Sequence, residues 1–178
     1  MKIGIFGGTF DPIHNGHLIV AQETQQKLHL DKILFIPAKK PPHKPDIYIT
    51  ESHHRLRMVE MAINGNSGFD VSDIEINRQG LSYTIETLET LKSQGNLTLI
   101  MGHDSFQAIE TWHRYLDIIR TTPIVAVIRP GETMLSFSNF SNPLRTLLHE
   151  HIIHTDVDSS DRTLIDNTFW RLCILKVP

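Results

Sequence analysis

The sequence predicts an α/β fold: a doubly wound, Rossmann-like, mostly parallel sheet with helices on both faces. Three observations predict it. A strand, an amphipathic helix and a second strand follow one another within the first 36 residues, and such a βαβ unit implies parallel pairing with a right-handed crossover. Residues 32–36 (KILFI), 97–101 (LTLIM) and 124–128 (IVAVI) are continuous or nearly continuous apolar runs, as strands covered on both faces are. Polar clusters stand directly after strands, at Gly7, Pro37, Gly102 and Arg129, where ligands collect in open sheets of this kind.

Each element follows in chain order. Residues 3–6 (IGIF) form a buried first strand. From residue 15 to about residue 30, Leu18, Ile19, Ala21 and Leu28 sit among polar residues as on an amphipathic helix. Residues 32–36 are the second strand, bounded by Pro37. Prolines 41, 42 and 45 exclude regular helix and make 38–49 an exposed loop, in which Lys39 and Lys40 read as solvated. Helical spacing returns over 51–63 through Leu56, Val59, Met61 and Ala62, with Thr50 as N-cap. Residues 69–76 alternate in the manner of a strand, and Ile85, Leu88 and Leu91 share one face of a helix over 82–91. After the strands at 97–101 and 124–128, residues 144–148 predict a short helix and Ile152-Ile153 a last strand.

Length and composition bound the function. A chain of 178 residues, 40% hydrophobic and 21% charged, fits a single globular domain over 1–178. Its formal charge of −3 gives no reason to expect nucleic acid as a partner, so any phosphate affinity is local. No segment reaches the roughly 18 apolar residues of a membrane span, and the N-terminus lacks the long apolar region of a signal peptide. The expected location is cytoplasmic, which suits the lone Cys173. Eleven histidines invite a metal reading. His53 and His54, being adjacent, should diverge on a helix, and His149, His151 and His154 fit no usual zinc set, so no metal site is expected.

The chemistry begins at Gly7-Gly8-Thr9-Phe10-Asp11-Pro12-Ile13-His14-Asn15-Gly16-His17. Glycines at 7 and 8 allow close approach of a ligand to the backbone and positive φ. Main-chain N–H groups there and at the next helix start attract phosphate, and Thr9 adds a hydroxyl. The three-residue spacing turns His14 and His17 to one side, with no side chain at Gly16 between them. Paired imidazoles beside a triphosphate hold its oxygens and stabilise charge as pyrophosphate departs.

This stretch resembles the nucleotide-binding signature of the nucleotidylyltransferase superfamily, which shares its HxGH element with class I aminoacyl-tRNA synthetases. The resemblance implies that Gly8, Thr9 and Phe10, beside Gly7, line an ATP site and that His14 and His17 contact its phosphates. Further segments narrow it: Pro41-Pro42-His43-Lys44, Arg78-Gln79-Gly80-Leu81-Ser82-Tyr83-Thr84, Ile100-Met101-Gly102-His103-Asp104-Ser105-Phe106, Thr111-Trp112-His113-Arg114-Tyr115 and Arg129-Pro130-Gly131. Over about residues 1–131 the chain is similar to the bacterial nicotinate-nucleotide adenylyltransferases. That family joins nicotinate mononucleotide to the AMP of ATP, releasing pyrophosphate, with Mg²⁺ on the triphosphate.

The resemblance implies roles residue by residue. His43 and Lys44 close over the ATP phosphates, Lys44 joining His14 and His17 in catalysis, and Gly102 and Asp104 contact the adenosine. Trp112 offers a flat face for the pyridine ring. Helix-start amides near Tyr83 and Thr84, with His113, read the nicotinate carboxylate. ATP and nicotinate mononucleotide are the implied partners, with a homo-oligomer possible.

One region departs from the family pattern. Where a second phosphate motif resembling Ile-Ser-Ser-Thr-x-Ile-Arg belongs, the chain reads Asp156-Val157-Asp158-Ser159-Ser160-Asp161-Arg162-Thr163. Ser159, Ser160 and Arg162 either form a variant ATP contact or mark an altered segment with weakened ATP binding, and the second reading is preferred. The family's closing helices have no counterpart up to Pro178. Two other functions stay open: a pantetheine-phosphate adenylyltransferase, against which RQGLSYT and TWHRY argue, and a nucleotide-binding relative impaired by its altered C-terminal segment.

Overall fold

Strands β1 (Lys2–Gly8), β2 (Lys32–Pro37), β3 (Phe69–Val71), β4 (Asn96–Gly102), β5 (Ile124–Ile128), β6 (Ile152–Thr155) and β7 (Leu172–Lys176) form one sheet in the order β3-β2-β1-β4-β5-β7-β6. Every pairing is parallel. The structure is a computed structural model and describes residues 1–42, 48–129, 131, 137–149, 152–155 and 172–177. Strand order reverses between β1 and β4, which pair from Lys2 opposite Asn96 to Phe6 opposite Ile100. Their carboxyl ends, at Gly7-Gly8 and Gly102, therefore flank the crevice where such sheets hold ligands.

Alternation along the buried strands divides the core into two layers. Ile3 and Ile5 point to one face, where Ile85, Leu88, Ile118, Ile119, Leu144 and Leu148 cover them and their neighbours. Phe6, Ile33 and Phe35 point to the other, packed with Val20, Ala21, Val59 and Ile63. Helices α4 (Thr84–Leu91), α6 (Tyr115–Thr121) and α7 (Asn142–His149) thus cover the first face, and α1 (Asn15–Lys27) and α2 (Ser52–Ile63) the second. Gly4 is glycine because a Cβ there would lie within 2.9 Å of Ile33, Ile100 and Leu30 side-chain atoms.

Several elements differ from the sequence reading. Residues 69–76 are not one strand: β3 stops at Val71, and α3 (Ile74–Asn77) follows, so the alternating pattern spans two elements. The N-cap of α2 is Glu51, not Thr50, whose carbonyl is taken by Arg55 Nε at 2.7 Å. The helix over 82–91 begins at Thr84, with Tyr83 as N-cap. Helices α5 (His103–Gln107) and α6 and strand β7 were not anticipated, and β7 inserts between β5 and β6. The rings of His53 and His54 do not diverge; their centroids lie 4.0 Å apart in the first turn of α2.

Candidate active site

A cleft of about 890 Å³ opens at the carboxyl ends of β1, β2, β4 and β5. Its walls bring together Gly7, Gly8, Thr9, Phe10, His14, His17, Tyr83, Thr84, Gly102, Asp104, Trp112 and His113 from the predicted set. Four segments distant in sequence thus converge on one space. His43, Lys44, Ser159, Ser160 and Arg162 lie outside the described residues.

The β1–α1 turn corrects one expectation. Positive φ falls not on Gly7 or Gly8, which end the strand, but on Phe10, at 48°. A phenylalanine held in the left-handed region carries local strain, and the surrounding packing maintains it. Its ring is buried, edge-on to Phe6 (5.7 Å between centroids) and to His17 (5.1 Å). Gly8 is glycine because a Cβ would come within 2.9 Å of that ring. Gly7 has open space where its side chain would be and presents bare backbone to the cleft.

His14 caps α1, and its ring lies against that of His17, centroids 3.8 Å apart. A Cβ on Gly16 would lie 3.0 Å from His14 Cε1, so the glycine makes room for the stack. The His14 main-chain N–H donates to His17 Nδ1 at 3.3 Å, which assigns the proton of the neutral ring to Nε2. Burial on the aromatic bed, then neighbouring His14 and Arg129, lower the His17 pKa from 6.5 to about 4. Near neutral pH, His17 is therefore a neutral Nε2–H donor.

Arg55, which motif reading passed over, holds the loops behind this turn. Fully buried, it donates from Nη1 to the Thr9 carbonyl (2.5 Å), from Nη2 to Ala38 (2.7 Å) and from Nε to Thr50 (2.7 Å). Burial lowers its pKa, and nearby Asp11 opposes the shift. Asp11 also accepts the Thr50 N–H at 2.8 Å, while the Ala38 N–H donates to the Gly8 carbonyl at 2.9 Å. One guanidinium thus ties the turn after β1 to both ends of the connection between β2 and α2. Its signal, an arginine among apolar helix positions, is visible only once the helix is known to pack on these loops.

The opposite wall centres on the start of α4. The Tyr83 ring stacks on His113 (4.4 Å, 33° between planes), and Trp112, half-buried, packs against the first core layer while lining the cleft. Lys39 is not a solvated lysine: its Nζ donates to the Arg78 carbonyl at 3.1 Å. Arg114 turns outward to Glu89 (2.9 Å) and Asp117 (2.8 Å). Beyond β4, a Cβ on Gly102 would collide with the Asp104 carboxylate and lie 3.8 Å from Arg129, so both side chains crowd this glycine. Glu75, Thr87 and Arg129 also line the cleft and were absent from the predicted set.

The sequence profile of the cytidylyltransferase-like family matches residues 5–164. A probable nicotinate-nucleotide adenylyltransferase of Dehalococcoides mccartyi is 42% identical over 168 residues, covering 90% of this chain and 82% of the relative. The chain belongs to the nicotinate-nucleotide adenylyltransferase branch of that family. Relatives of the same name from Pelobacter propionicus and Geobacter are each 46% identical, over 74% and 78% of this chain. The chain spans 62% and 65% of the length of those two relatives. In fold it is similar to the nicotinic acid mononucleotide adenylyltransferase of Plasmodium falciparum solved with NaAD, at a TM-score of 0.69 and 20% identity, covering 99% of this chain and 75% of that one.

Proposed function

We propose that this chain transfers AMP from ATP to nicotinate mononucleotide, forming nicotinate adenine dinucleotide and pyrophosphate. The observation that carries the reading is the stacked His14–His17 pair over the Gly7-Gly8 backbone, facing Trp112, Tyr83 and Thr84 across one cleft. The relatives' shared name supports the same reaction.

In this reaction a phosphate oxygen of the mononucleotide bonds to the α-phosphorus of ATP. The bond from that phosphorus to the oxygen bridging to the β-phosphate breaks, and pyrophosphate leaves with the electron pair. The nucleophile is already anionic at neutral pH, so the residues' work is positioning and charge stabilisation. The triphosphate lies along Gly7, Gly8 and Thr9, where strand-end amides and the α1 start favour anions. His17 donates from Nε2 and His14 from its own ring to oxygens on which charge grows as pyrophosphate departs. Lys44 adds its cation and His43 its ring to the phosphates; Gly102 and Asp104 receive the adenosine.

ATP enters as its magnesium complex. Among the described residues no group of three or more His, Cys, Asp or Glu is set to hold a metal, and Asp104 is the one exposed carboxylate on the cleft wall. That donor set suits an ion carried by the phosphates, which it neutralises. Across the cleft, Trp112 stacks on the pyridine ring, and the first amides of α4, with His113, take the nicotinate carboxylate.

Pyrophosphate release with ATP and, in turn, nicotinate mononucleotide, nicotinamide mononucleotide and pantetheine phosphate tests the reading. Turnover greatest with the nicotinate compound is expected. Preference for pantetheine phosphate, or ATP binding with no release from any of them, would overturn it.

A further inference from the structure

Beneath the pyridine end of the cleft runs a polar network that the reaction does not by itself require. At its centre is Glu75, on α3, only 7% exposed although it lines the cleft. Its Oε1 accepts the Thr87 hydroxyl at 2.7 Å; burial raises its pKa, and the Thr87 and neighbouring Ser82 hydroxyls oppose that shift by favouring the carboxylate. Thr87 Oγ1 accepts from Arg78 Nη1 at 3.0 Å, and the same nitrogen reaches the Tyr83 carbonyl at 3.4 Å. Ser82 Oγ accepts the main-chain N–H of Lys39 (3.0 Å) and of Lys40 (3.3 Å), while the Ser82 N–H donates to the Lys40 carbonyl at 3.1 Å.

Proton counting shows why this arrangement needs a carboxylate. A hydroxyl has one proton to give. Thr87 gives its proton to Glu75 and receives Arg78; Ser82 receives two amides, which leaves its own proton for the neighbouring carboxylate. Both chains of donors end on Glu75, whose two oxygens donate nothing. A glutamine accepts one hydroxyl through its oxygen but presents N–H to the other. Ser82, whose two lone pairs already receive amides, must then give one of them up, or Thr87 must turn its proton away from its acceptor.

The two arms lead to different segments. Ser82 is tied to the loop after β2, and Thr87 stands on the cleft side of α4, whose first residue is Thr84. Arg78 ties the second arm to Tyr83, the N-cap of α4, and Tyr83 stacks on His113. The network therefore fixes the α4 start, and with it the His113 ring stacked on Tyr83.

We propose that Glu75 is the positioning residue of the pyridine-nucleotide half of the site, holding the first amides of α4 where the substrate's ring carboxylate lies and so setting the preference for the acid over the amide. This rests on the reaction proposed above. Glu75 acts through Ser82, Thr87 and Arg78.

The test measures initial rates of pyrophosphate release by the full chain and by Glu75→Gln and Thr87→Val, varying each substrate separately. Thr90→Ala, on the outer side of α4 with its hydroxyl on the Glu86 carbonyl, is the control. Glu75→Gln is expected to raise KM for nicotinate mononucleotide about tenfold, a shift typical of losing one charge-assisted hydrogen bond, with KM for ATP changed less than about twofold. The ratio of kcat/KM for nicotinate over nicotinamide mononucleotide should fall by a similar factor. Thr87→Val should move both quantities the same way and less, and Thr90→Ala neither. An unchanged ratio, or parallel rises in both KM values with a falling Tm, would overturn the proposal. Failure of the wild-type chain to use nicotinate mononucleotide is a separate result, which removes the reaction and this inference with it.

Discussion

At the β1–α1 end of the cleft, eleven consecutive residues, 7–17, supply backbone, hydroxyl and both imidazoles. At the α4 end, Glu75, Ser82, Tyr83, Thr87, Trp112 and His113 come from separate elements and meet only in the folded chain. The first end is local: the close of a strand and the start of a helix already place bare amides and stacked rings side by side. The second is tertiary, and its polar groups are satisfied through a buried network. Local sites tolerate change elsewhere in the chain, whereas networked sites transmit it. Damage to the first end should therefore appear in chemistry, and damage to the second in substrate recognition.

The largest expected effect breaks the comparison at its first end. His17→Ala should lower kcat by about 10²–10³, as removal of a donor to developing charge does, while stability changes by no more than about 1 kcal/mol for the lost cap contact. Steady-state pyrophosphate release beside a thermal melt checks both; retention of most activity would remove His17 from the mechanism. Arg55→Met tests whether the loops behind this end need their central tie. It leaves the carbonyls of Thr9, Ala38 and Thr50 without their buried donor and should cost about 3 kcal/mol in a denaturant titration. A loss below about 1 kcal/mol would mean that water or neighbouring groups replace it.

Trp112→Ala sharpens the contrast from the other end. KM for nicotinate mononucleotide should rise about tenfold, the stacking contribution of one aromatic ring plus its buried area, with KM for ATP little changed. Equal rises in both would show that the two ends are not separable.

The smallest effect is a pH dependence. The folded chain holds His17 at about 4 against 6.5 when unfolded, so between these values the unfolded state binds the extra proton. The contribution is present above pH 6.5 and is lost as pH falls towards 4. With solvent screening at this half-buried ring it amounts to about 1 kcal/mol. Chemical denaturation of wild type and His17→Asn across that range should show the slope in the first and its reduction in the second.

The same contrast governs what was legible in the sequence. Strands β1, β2, β4 and β5 were readable because nearly unbroken apolar runs with Gly or Pro at or just beyond their ends leave few alternatives, and the HxGH element lies in one segment. The positive φ was assigned to glycines, yet the strain sits on Phe10, because ring packing against Phe6 and His17 outweighs backbone preference. Residues 69–76 read as one strand because alternation does not register the turn after Val71. Strand β7 was missed because a five-residue apolar run carries no mark of its place between β5 and β6. Glu75 and Arg55 were invisible as functional residues for a further reason: their hydrogen-bond partners are 5 to 46 positions away and include main-chain carbonyls, which no side-chain motif encodes.

The most direct test of the account follows the His17 ring itself. Nitrogen NMR of the histidine side chains, titrated with pH in the absence and presence of a non-hydrolysable ATP analogue with Mg²⁺, reports its protonation and tautomer. The account predicts a free ring protonated at Nε2 with a pKa near 4, and a clear upward shift when the triphosphate arrives. A His17 signal indifferent to saturating analogue would contradict the claim that this turn holds the phosphates.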